Sequence, residues 1–190
     1  MTGGQGFKRA GCAALLAGLL SVSGLAAAQT VSATSAPSPA VVGSPVAVDV
    51  LIAGVADLFG YQFSLAFNPL VLQATGGTEG AFLPSAGATI FDGGVINNAL
   101  GTVTLAFGTL TGLVPGATGG GVLARINFNT IATGSSALTF SDVVLIDSNL
   151  LTLTAQVNNG MLTAVPEPAS YVLFALGLAG LAALRQRKSG

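Results

Sequence analysis

Histidine and tryptophan are absent from this 190-residue chain, and cysteine occurs once, at Cys12. Charge is scarce too: six Lys or Arg face seven Asp or Glu, and together they make up 7% of the residues. Between Gln29 and Ala164 lysine is also missing. Arg125 is the one cation there, against Asp49, Asp57, Glu79, Asp92, Asp142 and Asp147, a formal balance of −5. Each absence closes a class of function. Without His, Cys or Lys this stretch lacks the commonest general bases, thiol nucleophiles and soft-metal ligands. A lone cation excludes recognition of a phosphate backbone, which takes several basic contacts. No cysteine means no disulfide, so about 136 residues must be held by an ordinary core. A glycosidase needs only two carboxylates, but nothing in the spacing of Asp92, Asp142 and Asp147 favours one. The expectation is a non-catalytic domain with no cofactor.

Long apolar runs occur only at the two ends. At the first, Lys8 and Arg9 precede an apolar stretch over residues 10–25 and the small residues Ala26, Ala27 and Ala28. This is the pattern of a secretory signal peptide over residues 1–28, cut before Gln29 with Ala26 and Ala28 flanking the site. Cys12 precedes the apolar core, a placement wrong for lipidation, and leaves with the signal. At the other end Val165-Pro166-Glu167-Pro168 leads into the uncharged residues 169–184, then Arg185, Arg187 and Lys188. A helix over 169–184 is about 24 Å long, short of a hydrocarbon core of about 30 Å. Such a helix thins the bilayer locally or relies on the basic end snorkelling to the headgroups, and the basic cluster marks the cytoplasmic side. The two prolines stop the helix from growing backwards.

This three-part tail resembles the PEP-CTERM sorting signal of Gram-negative bacteria that make extracellular polysaccharide. The resemblance implies an exosortase-type processing enzyme as a partner. It also implies an exported protein, anchored at the envelope by its C-terminal helix and then released to the cell surface or extracellular matrix.

The middle of the chain, residues 29–164, alternates with period two, as half-buried strands do. Val46, Val48, Val50 and Ile52 share one face. Tyr61, Phe63, Leu65 and Phe67 alternate with Gln62, Ser64 and Ala66. Val103, Leu105 and Phe107 alternate with Thr102, Thr104 and Ala106, and Val122, Ala124, Ile126 and Phe128 oppose Leu123, Arg125, Asn127 and Asn129. Further strands are expected within 137–140, 143–146, 150–157 and 161–164. Asn159-Gly160, between two such runs, reads as a type I′ hairpin turn. Gly76-Gly77, Gly93-Gly94 and Gly119-Gly120-Gly121 read as loops, and Pro37, Pro39 and Pro45 as breaks before the first long strand. No helical period appears between the two ends. The expected fold is all-β, a nine-stranded jelly roll or β-sandwich, flanked by a signal helix and a transmembrane helix.

Residues 55–72, with the strand from Gly60 to Phe67 running into Asn68-Pro69-Leu70-Val71-Leu72, resemble the signature of cohesin domains. Residues 43–48, 122–128 and 137–147, and the closing Asn159-Gly160-Met161-Leu162, fall in the order that family has. The resemblance spans roughly residues 30–164. It implies a flattened nine-stranded barrel that binds a calcium-loaded dockerin through one sheet face. The outward residues Gln62, Ser64, Arg125 and Asn127, with Gly60 beside them, are the expected partner-binding face. Gly60 and Gln62 stand where dockerin-binding members often present Asn and Asp.

Two other sites remain open in the sequence. Asp142 and Asp147-Ser148-Asn149 offer hard oxygen ligands, but without the spacing of a calcium loop, and a plain turn at Asp147 explains them as well. Sugar binding usually rests on an exposed aromatic. Tyr61 is expected in the core, which leaves Phe59 and Phe91. The function expected is therefore an exported, non-catalytic interaction module with a dockerin-like protein partner. The alternative is an exopolysaccharide-binding or structural matrix protein.

Overall fold

The computed structural model describes residues 28–167, together with Phe174 and residues 176–178, which are helical. The signal region up to residue 27, Pro168, most of the expected transmembrane helix and the basic end at Arg185, Arg187 and Lys188 lie outside the described residues. Among those described, no helix is long and apolar enough to cross a membrane.

Thirteen strand segments replace the nine expected: β1 (Thr30–Ala36), β2 (Ala40–Val41), β3 (Pro45–Leu58), β4 (Gly60–Ala66), β5 (Leu72–Glu79), β6 (Thr89–Asp92), β7 (Val95–Asn97), β8 (Thr102–Leu110), β9 (Ala117–Thr130), β10 (Gly134–Ile146), β11 (Thr152–Leu153), β12 (Gln156–Asn158) and β13 (Gly160–Val165). A single 3-10 turn spans Leu83–Ser85. The strands form two sheets. One has five strands in the order β12-β1-β3-β9-β5. The other has eight, in the order β2-β13-β10-β4-β8-β6, with β11 pairing β10 and β7 pairing β8.

Several expected turns are strand instead. Gly76-Gly77 lies within β5 and Gly119-Gly120-Gly121 within β9. Pro37 and Pro39 follow β1, a strand the sequence did not announce, while Pro45 opens β3. Asn159 is not part of a hairpin. It is the single residue at which the chain passes from β12, paired to β1 in one sheet, to β13, paired to β10 in the other. Gly160 is required there for a close approach, since a Cβ would lie 2.7 Å from the Ala33 carbonyl oxygen. Phe59 makes a similar one-residue switch from β3 to β4. Its N–H donates to Ile146 at 2.8 Å, and its carbonyl accepts from Leu110 at 2.8 Å.

The core lies between the sheets. Val46, Val48, Val50 and Ile52 fill it from β3, as the alternation predicts, and Tyr61, Phe63 and Leu65 from β4. Phe67 meets Phe128 edge-on at 5.0 Å, and Phe63 meets Phe140 at 5.8 Å. Each such side chain contributes roughly 1.5–3 kcal/mol of burial, enough collectively to replace the missing disulfides. The Asn68-Pro69 turn is built as the sequence suggests. The Asn68 side chain accepts from the Leu70 N–H at 3.0 Å, and the Ser136 hydroxyl accepts from the Asn68 N–H at 2.8 Å.

The strict alternation fails at several places, among them β8 and β9. In β8, Leu105 takes a positive φ of 56° and inserts an extra residue opposite β4, where the register shifts between Phe63 and Leu65. Past that bulge Ala106 faces the core, while Leu105 and Phe107 do not. In β9 the register against β3 shifts between Val50 and Leu51, so Leu123 and Ala124 are both buried.

Candidate functional site

The outer face of the eight-stranded sheet is built from β10, β4, β8, β6 and β7. Their register brings Ile146, Gly60, Thr109 and Ile90 into one cross-strand row, and Val144, Gln62, Phe107 and Asp92 into the next. Gly60 has no side chain, so the rows dip into a shallow trough of about 220 Å³ lined by Gln62, Phe107, Thr109, Val144 and Ile146. Val144 in its lining and Ile90 beside Thr109 are exposed, as are Val95 and Leu105 further along the same sheet.

Beside this trough, β4 is flanked by irregularities on both sides. The bulge at Leu105 in β8 stands opposite Ser64, and a second in β10, where Asp142 takes a φ of 52° and the register shifts between Ser141 and Val144, lies opposite Phe63. Left-handed backbone at a non-glycine residue costs roughly 1–2 kcal/mol. Leu105 bears that cost while keeping 54% of its surface in water. Its N–H donates to the Ser64 hydroxyl at 3.2 Å.

The five expected contact residues do not share a face. Gly60, Gln62 and Ser64 lie on β4 in the eight-stranded sheet, whereas Arg125 and Asn127 lie on β9 in the other. Both sets point outward, so the sandwich core separates them. Ser64 is 5% exposed rather than free, and its hydroxyl is used on Leu105. Arg125 is held by Asp49, Nε to Oδ1 at 2.6 Å and Nη2 to Oδ2 at 3.0 Å. That bidentate pairing raises its pKa. With Gln73, Thr75, Thr78 and Asn129, Arg125 and Asn127 form a polar outer face on the five-stranded sheet.

The carboxylates are engaged locally. Asp57 accepts from the Ser148 hydroxyl at 2.6 Å and the Gly116 N–H at 2.7 Å, and the Ser148 bond leads in lowering its pKa. Asp92 accepts from the Gly94 N–H at 2.8 Å, and Asp142 from the Ser141 hydroxyl at 3.3 Å. Asp147 makes the plain turn, accepting from the N–H groups of Asn149 at 2.9 Å and Leu151 at 2.8 Å. Glu79 Oε1 is buried without a partner. Among the described residues, no three His, Cys, Asp or Glu side chains converge as metal ligands. Phe59 and Phe91 pack against the core and offer no platform. Phe107, on the outer face, is the aromatic that sequence reasoning missed; no glycine or proline marks the bulge that turned it outward.

The Cohesin domain family matches residues 30–163. The chain belongs to the cohesin family. The PEP-CTERM protein-sorting motif matches residues 164–188 immediately after it. Among solved structures, this cohesin is similar to the second type II cohesin module of the cellulosomal adaptor ScaA scaffoldin of Acetivibrio cellulolyticus, at 21% identity and a TM-score of 0.63, covering 74% of this chain and 99% of that one. It is also similar to a non-cellulosomal cohesin from the hyperthermophilic archaeon Archaeoglobus fulgidus, at 20% identity and a TM-score of 0.60, covering 76% and 96%. A third likeness is the cohesin in a type I cohesin–dockerin complex from Clostridium thermocellum, at 14% identity and a TM-score of 0.60, covering 73% and 94%. At these identities the likeness establishes the fold. No curated protein matches the chain.

Proposed function

We propose that this cohesin is an exported, non-catalytic binding module that docks a protein partner on the outer face of its eight-stranded sheet. The observation that carries this reading is the apolar trough of that face, Phe107, Val144 and Ile146 around Gly60, with exposed Leu105 further along β8 and Gln62 supplying the polar contact. Interfaces of this kind have apolar, aromatic-bearing cores and polar rims. The partner class is a dockerin-like calcium-loaded helix pair, by kinship with cohesins solved in complex with dockerins. The sorting motif supports export and sorting to the cell envelope, and release to the cell surface or extracellular matrix completes this reading. At the envelope the tail Val165-Pro166-Glu167-Pro168, the uncharged stretch 169–184 and the basic end Arg185, Arg187 and Lys188 engage an exosortase-type enzyme. Residues 1–28 serve as the signal, cut between Ala28 and Gln29.

A second reading has its own observation. The outer face of the five-stranded sheet carries Gln73, Thr75, Thr78, Arg125, Asn127 and Asn129, amides and hydroxyls suited to the hydroxyls of an exopolysaccharide.

One capture experiment separates the two. The secreted module is immobilised and presented with the native secretome and the polysaccharide fraction, with calcium and after chelation. A protein bearing duplicated calcium loops, captured only with calcium and lost in Gln62→Arg, supports the first reading. Capture of polysaccharide, lost in Asn127→Ala and kept in Gln62→Arg, supports the second and overturns the first.

A further inference from the structure

No spacer separates the sandwich from its tail. The family match ends at residue 163 and the sorting-motif match begins at 164, yet β13 runs through both as far as Val165. Ala164 pairs with Gly134 of β10 on one side and Ala40 of β2 on the other, and is 3% exposed. Val165 pairs with Val41, and its carbonyl accepts from the Val42 N–H at 3.0 Å. There the ladder stops, because Pro166 has no N–H to continue it. Pro166 and Glu167 are exposed, and the Glu167 carboxylate lies beside the turn at Gly43, 3.8 Å from where a Cβ would stand.

A peptidase that takes its substrate as an extended strand uses backbone N–H and C=O groups around the bond it cuts. β13 is paired to β10 from Gly160 to Ala164 and to β2 at Ala164 and Val165. Cutting before Ala164 would remove a buried side chain from Ala40, itself fully buried, and leave β2 without its sheet neighbour. The first backbone free of the sheet is Pro166-Glu167.

We infer that the folded sandwich sets the N-terminal limit of tail processing: the cut falls on the C-terminal side of Val165, and β13 stays whole in the released product. This rests on the reading that the tail is processed. The step is hydrolysis of one peptide bond, in which the new carboxyl end takes the hydroxyl of water and the departing tail's amino group takes its proton. The peptidase then works against the corner made by β2, the turn at Gly43 and the end of β13.

The full chain is produced in a Gram-negative host that carries an exosortase-type enzyme, and the C-terminus of the released product is read by intact mass. The expected product ends at Val165 or beyond. A product ending at Ala164 or earlier overturns the inference with processing intact, whereas recovery of uncut chain alone overturns the processing reading and the inference with it. Val42→Pro removes the donor to the Val165 carbonyl and is expected to give ragged ends reaching into residues 163–165; an unchanged end shows that the fold sets no limit. The wild-type chain in detergent gives a check that needs no variant. Elastase is expected to leave the Ala164–Val165 bond intact at concentrations where it cuts that bond in a synthetic peptide of residues 160–167, and equal rates overturn the inference.

Discussion

The Tyr61 hydroxyl donates a 2.6 Å hydrogen bond to the Leu123 carbonyl, joining β4 of one sheet to β9 of the other through the core. Burial first, and the charge of Glu79 second, hold the phenol pKa well above its ordinary value. A raised pKa favours the protonated form in the folded state. Its contribution to stability is therefore complete below the ordinary phenol value of about 10 and is lost as pH rises beyond it. Tyr61→Phe is expected to cost roughly 1 kcal/mol near neutral pH, because the Leu123 carbonyl keeps its 2.9 Å bond from the Gly80 N–H. The variant also flattens the alkaline fall in stability. Urea midpoints of both proteins between neutral pH and pH ~11 check this.

Asp57 ties the end of β3 to the loops at Gly116 and Ser148. Its lowered pKa means that its contribution is present above the unfolded carboxylate value and is lost as pH falls through the folded one. Asp57→Asn is therefore expected to be less stable than wild type at neutral pH and to converge with it in acid. Thermal melts on both sides of pH ~4 measure the convergence.

Leu105 separates stability from binding. Leu105→Gly relieves the left-handed strain at φ 56° and removes an exposed apolar side chain. It is expected to raise stability by roughly 1 kcal/mol while weakening capture of the protein partner about tenfold or more. A variant that is more stable and binds normally would remove Leu105 from the docking face. Thermal melts and a binding titration on the same sample read both effects.

Gly160 tests the sheet crossing. Because a Cβ would meet the Ala33 carbonyl oxygen, Gly160→Ala is expected to cost roughly 1–3 kcal/mol. Gly160→Asn is expected to do no better. A type I′ turn would have tolerated Asn well, so the pair of denaturation midpoints distinguishes crossing from hairpin.

The amino-acid pattern alone determined the fold class, the long inward rows of β3 and β4, the Asn68-Pro69 turn and the two-part plan of a sandwich followed by a sorting motif. These features depend on neighbours within a few residues, where period-two burial and turn chemistry act directly. Tertiary structure alone decided which residues share a surface. A single residue added at Leu105 reverses every later side chain in β8, and no local composition marks the place; the shift near Leu123 buries two neighbours in succession and leaves the later alternation of β9 as expected. Asn159-Gly160 has the letters of a hairpin, yet β12 and β13 find their partners in different sheets. Arg125 and Gln62 both alternate outward, each relative to its own strand. Which outside they occupy is set by long-range pairing, and pairing puts the whole core between them.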